Sequence, residues 1–76
     1  MNTLTWKRVN ATLHTGTLNT GPMRATVNAR RDGNRWTGDV EILFFGDDHK
    51  AAMRITPRRT LEEVKKAAQE EIDWWF

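Results

Sequence analysis

The 76-residue chain contains no cysteine, no serine and no tyrosine. Without cysteine there is neither a disulfide framework nor a thiolate metal site, so apolar packing has to supply the core. The same absences remove the usual hydroxyl and thiol nucleophiles, leaving threonines scattered over strand faces and loops with no adjacent base. Long apolar runs are lacking too. No window approaches the roughly 18 apolar residues of a membrane span, and the start M-N-T-L-T-W-K-R has no signal-peptide core. A cytoplasmic protein with no membrane partner is expected, and the Asn10-Ala11-Thr12 sequon then has no consequence. Only two prolines and five glycines punctuate the sequence. At this length a single domain over residues 1–76 is expected, burying about 60% of the surface its unfolded chain exposes.

What is present begins with Trp36 to Phe45, W-T-G-D-V-E-I-L-F-F, whose even positions run Trp36, Gly38, Val40, Ile42 and Phe44. That alternation predicts a strand with one buried face. Its odd positions start polar at Thr37, Asp39 and Glu41 and end apolar at Leu43 and Phe45, leaving an exposed apolar end. Met23, Ala25, Val27 and Ala29 predict a second strand with Arg24, Thr26, Asn28 and Arg30 on its outer face. A tight turn at Asp32-Gly33, pairing Arg31 with Asn34, would set Ala29 opposite Trp36 and Ala25 opposite Val40. After Gly46-Asp47-Asp48-His49, joining Phe45 to Lys50 would set Phe44 by Ala51 and Ile42 by Met53. Ala51, Met53 and Ile55 extend the inner face until Pro57 ends the strand.

Before Met23 the pattern is weaker. Leu4 and Trp6 hold one parity and Val9, Ala11 and Leu13 the other, which predicts one strand with a bulge near Lys7-Arg8. The stretch from His14 to Pro22 has the composition of a long loop. At the other end Thr60-Leu61-Glu62-Glu63 fits a capping box, and Leu61, Val64, Ala68, Ile72 and Trp75 form one stripe of the helix it opens. The predicted fold is α+β: an antiparallel four-stranded meander with a C-terminal helix on one face.

The residues offer little chemistry. Asp47-Asp48-His49 could be read as a metal site but is better read as a wet hairpin tip, so no metal or cofactor is expected. Asp39 and Glu41 share a strand face, which fits a solvated surface better than an acid-base pair. Gly16, Gly21 and Gly33 form no phosphate-cradling loop, and the chain is not expected to be an enzyme.

Binding is the remaining class. Residues 1–36 hold six Lys or Arg against Asp32 alone, whereas residues 37–76 hold six against nine acids. Such an asymmetry can orient a partner. Leu43, Phe45, Trp74 and Phe76, with Arg30 and Arg54 beside them, are the candidate protein-binding residues, because aromatics flanked by arginine dominate interface energetics. A second copy of the chain could cover them instead. The alternative is nucleic acid held by Arg24, Arg30 and Arg54 on the outer face and by Arg58 and Arg59, which with Arg31 and Arg35 could cluster at one end; against it, Asp39 and Glu41 would repel phosphate in the middle of the face.

The T-L-E-E-V-K-K-A-A-Q-E-E helix, following strands marked by W-T-G-D-V-E-I and G-D-D-H, resembles small proteins of phage and mobile-element genomes. Many of these carry a strand meander before a T-L-E-E-A-K-x-A-A-E-like helix, and anti-CRISPR proteins are among them. The resemblance spans Met23 to Phe76 and rests on capping and core positions, so it transfers no functional residue. It departs from the acidic nucleic-acid mimics of that group, since this chain carries net charge +2. It implies an inhibitor that blocks the surface of a bacterial protein complex in the host cytoplasm. A minor virion component is a third class.

Overall fold

The computed structural model describes residues 3–46 and 49–75, with only the backbone of His49. Its chain order is β1 (Thr5–Asn10), β2 (Leu13–Asn19), β3 (Met23–Asp32), β4 (Arg35–Phe44), β5 (His49–Arg58) and α1 (Leu61–Trp75). The five strands form one antiparallel meander in sequence order, with α1 on one face. The architecture is α+β as the patterning predicts, with one more strand than expected.

The extra strand is β2, which occupies the predicted loop. Asn10 Oδ1 accepts hydrogen bonds from the Thr12 N–H (2.9 Å) and Oγ1 (3.0 Å), closing a turn where an unbroken strand was expected. The change of apolar parity is therefore a chain reversal, with an irregularity between Arg8 and Asn10 opposite His14 and Leu13. β2 then alternates His14, Gly16 and Leu18 inward with Thr15 and Thr17 outward. Glycine at position 16 lets the Trp6 indole rest directly on the strand, since a Cβ would stand 3.0 Å from that ring, closer than ordinary contact.

Both later hairpins keep the predicted faces but shift register by two residues. β3 and β4 close at Asp32 and Arg35, so Ala29 lies opposite Gly38 and Ala25 opposite Ile42. The turn residues are Gly33 and Asn34, Gly33 taking the left-handed conformation (φ 64°) that glycine adopts at little cost. The shift places Gly38, rather than Trp36, beneath the helix, where a Cβ would crowd Val64 and Ile55 at 3.0 Å. In β4 and β5, Phe44 meets His49, Ile42 meets Ala51 and Val40 meets Met53. The Phe45 N–H instead donates to the Pro22 carbonyl (2.9 Å) on the β3 side. Pro57 does not end β5, which runs to Arg58. An irregularity opposite Trp36 and Gly38 accommodates it on this edge strand.

The core joins Ala25, Val27, Ala29, Val40, Ile42 and Ile55 of the sheet to Val64, Ala68 and Ile72 of α1. Leu4 closes one side, its N–H donating to Gln69 Oε1 (3.0 Å). Thr60 caps α1 as expected, its Oγ1 accepting the Glu63 N–H (3.2 Å). Among the described residues no helix is long and apolar enough to cross a membrane.

Candidate functional site

Three surfaces remain once the core is assigned. Among the described residues nothing covers the outer sheet face. In register across it run Arg24, Leu43 and Lys50, then Thr17, Thr26, Glu41 and Ala52, then Thr15, Asn28, Asp39 and Arg54. Arg24, Arg30 and Arg54 do share this face, but two of them are engaged. Arg30 Nη2 lies 2.7 Å from Asp39 Oδ2, and Arg54 Nε lies 3.5 Å from Asp39 Oδ1. Lys50 pairs with Glu41. Exposed pairs of this kind stabilise little, but they offset the acids that would repel an anion and occupy the arginines that would attract one. Leu43 (37% exposed) sits between Arg24 and Lys50, and Phe45 (44% exposed) has the Arg24 guanidinium 5.5 Å from its ring centroid.

The second surface is the C-terminal end of α1 and its groove with β5. Trp74 is 76% exposed. Its ring meets Trp75 edge-on at 5.2 Å, and Trp75 in turn packs on Phe44 at 5.8 Å. Met53, Glu70 and Glu71 complete the groove beside the two tryptophans, and it continues along β5 past Ile55 and Ala67 to Arg58. Among the described residues, buried Trp75 Nε1 has no hydrogen-bond acceptor. The structure thus separates residues that the sequence reading grouped together. Leu43 and Phe45 flank one end of the outer face, while Trp74 belongs to the helix side. Phe76, with the Asp47-Asp48 part of the acidic turn, lies outside the described residues.

The third surface is the inner face beyond the N-terminus of α1, where Arg31 and Arg58 of the basic end expected from the sequence stand beside two aromatic rings. Trp36 is half-buried there, flanked in register by Arg31 and Arg58, with the His14 ring 5.8 Å away edge-on. Arg8 stands opposite His14, and Lys65 reaches from α1 to 5.3 Å from the Trp6 ring. Burial, then the charges of Lys65 and Arg8, hold the His14 pKa below its ordinary 6.5 against an opposing effect of Glu62. Arg59 is exposed just before the Thr60 cap. The basic end and the inner parity of Trp36 are legible in the sequence, whereas His14 joins them only once β2 is known to be a strand.

Among the described residues no group of three or more histidines and acids is placed to hold a metal ion. No protein-family model, curated protein or solved structure matches the chain.

Proposed function

We propose that the protein is a non-enzymatic protein-binding module that docks the α1 end and its β5 groove onto a partner. The observation that carries the reading is Trp74, a large aromatic left 76% exposed at the rim of a groove containing Met53 and Trp75. Tryptophan is among the residues most enriched at interface hot spots, and an exposed one beside apolar neighbours favours association. Glu70, Glu71 and Asp73 surround it on α1, so the complementary partner presents an apolar or aromatic side chain flanked by basic residues. The non-enzymatic part is supported by the outer-face acids, Asp39 and Glu41, each held by basic side chains rather than poised as acid and base.

The resemblance of the helix and its preceding strands to phage-encoded anti-CRISPR proteins supports a more specific role: an inhibitor of a bacterial protein complex. The test is recovery of partners from bacterial lysate with the unaltered protein and with Trp74→Ala, alongside a thermal melt of both. A protein retained through nuclease treatment, lost with Trp74→Ala at an unchanged melting temperature, is expected. Recovery of nucleic acid alone, or a collapsed melt with unchanged association, would overturn the reading.

A further inference from the structure

The strands outrun the helix. A ten-residue strand spans about 33 Å and a 15-residue helix about 22 Å. Trp75 packs at the level of Phe44 and Val64 at the level of Gly38, so the uncovered length lies beyond the N-terminus of α1. On this overhang the inner face carries Arg8, His14, Arg31, Trp36 and Arg58, with Lys65 at the helix edge.

The charges here differ in kind from those of the outer face. Among the described residues Arg8 and Arg31 donate only to the neutral carbonyls of Asn10 (3.4 Å) and Gly33 (3.0 Å). Among the described residues neither they nor Arg58 forms an ion pair, although Glu63 and Glu70 line the hollow that Arg58 adjoins. Lys65 is opposed by Glu62 at 3.8 Å, Lys66 shares the hollow beside Arg58, and Asp32, on the outer parity of β3, stands opposite Arg35 at the hairpin tip. Arg8, Arg31, Arg58, Lys65 and Lys66 therefore exceed Glu62, Glu63 and Glu70 around two aromatic rings, Trp36 and His14. From β1 to β5 is four inter-strand spacings, about 19 Å, which accommodates several phosphates of an extended strand.

We propose that this overhang binds single-stranded nucleic acid, with phosphates on Arg8, Arg31, Arg58 and Lys65 and an unpaired base against Trp36. An acidic protein surface would satisfy the cations but gain no stacking from the rings. A duplex would satisfy the cations while keeping its bases paired and out of reach. The site lies at the opposite end of α1 from Trp74 and stands independently of the protein-binding surface.

The test is fluorescence anisotropy of labelled oligothymidylate and oligouridylate with the full chain at about 50 mM and about 200 mM salt. For three or four phosphates engaged, affinity should fall about 20- to 50-fold between those concentrations. The double variant Arg8→Gln/Arg31→Gln should flatten the logarithmic salt slope by about 1.4, and Trp36→Leu should weaken binding about fivefold or more. Trp74→Ala should bind as the unaltered protein does. The arginines are exposed, so the double variant should keep its melting temperature and report on binding alone. Undetectable binding at low salt, or polyglutamate or duplex binding as tight as the single strand, would overturn the proposal. So would loss of binding with Arg24→Gln/Arg54→Gln in place of Arg8→Gln/Arg31→Gln.

Discussion

Single residues carry constraints that the apolar pattern does not express. Gly38 is buried opposite Ala29, and a Cβ there would come within 3.0 Å of both Ile55 Cδ1 and Val64 Cγ1. Gly38→Val should therefore cost about 1 to 3 kcal/mol through overpacking, read as a lower urea midpoint at unchanged slope. His14 adds a pH dependence. Its folded pKa is held down by burial and by Lys65 and Arg8, so below 6.5 the unfolded chain takes up the proton first. Stability from this group is present above 6.5 and is lost as pH falls through the depressed folded value. His14→Gln should flatten the melting temperature between neutral and mildly acidic pH; an unaltered acid slope would assign it to other groups.

At the scale of elements, the helix is stabilised by its cap and the sheet by guarded edges. Thr60→Ala removes the acceptor for the Glu63 N–H and should lower stability by about 1 kcal/mol in a denaturant titration. The edges follow from ladder parity. The bonds from Phe45 N–H to Pro22 and from Arg31 N–H to Thr12 fix which residues of each strand bond to which neighbour. Carried to β5, that alternation turns the backbone of Lys50, Ala52 and Arg54 outward. The charged side chains there, with Pro57 and the irregularity opposite Trp36, are the devices by which an edge strand resists pairing with another chain. Lys50→Val/Arg54→Val should produce concentration-dependent association in sedimentation velocity, and a variant that stays monomeric would show that charge is not what protects this edge.

Over the whole molecule, one sheet and one helix make an elongated body with extents of 39 × 20 × 19 Å. Its two ends differ. The Trp74 end of α1 carries Glu70, Glu71 and Asp73, and the overhang carries Arg8, Arg31, Arg58 and Arg59. A chain of this size has about 4 to 11 kcal/mol of stability, while burying Ile42 completely ties the sheet centre to the helix. Ile42→Ala should cost about 2 to 5 kcal/mol and leave a measurable unfolded population without denaturant, seen in far-ultraviolet circular dichroism. Trp36, half-buried at the rim, should tolerate truncation better than Ile42 does, although the alternation alone makes the two look equivalent.

The sequence by itself determined the helix, its cap and its buried stripe, and it determined the inner faces of β3, β4 and β5. In each case a period of 3.6 or 2 in apolar residues maps directly onto a face. It left β2 hidden, because His14, Gly16 and Leu18 make a weak apolar alternation whose glycine is explained only by the Trp6 ring resting on it. Register was also undetermined: a shift of two residues preserves every face, so patterning cannot separate Gly38 from Trp36 as the partner of Ala29. The helix bears on that choice, since Val64 lies so close to Gly38 that a Cβ there would stand 3.0 Å from its Cγ1. The same holds for the charges. The sequence lists the arginines alike, and only tertiary packing sets Arg30 and Arg54 against Asp39 while leaving Arg8 and Arg31 on neutral carbonyls beside the aromatic rings.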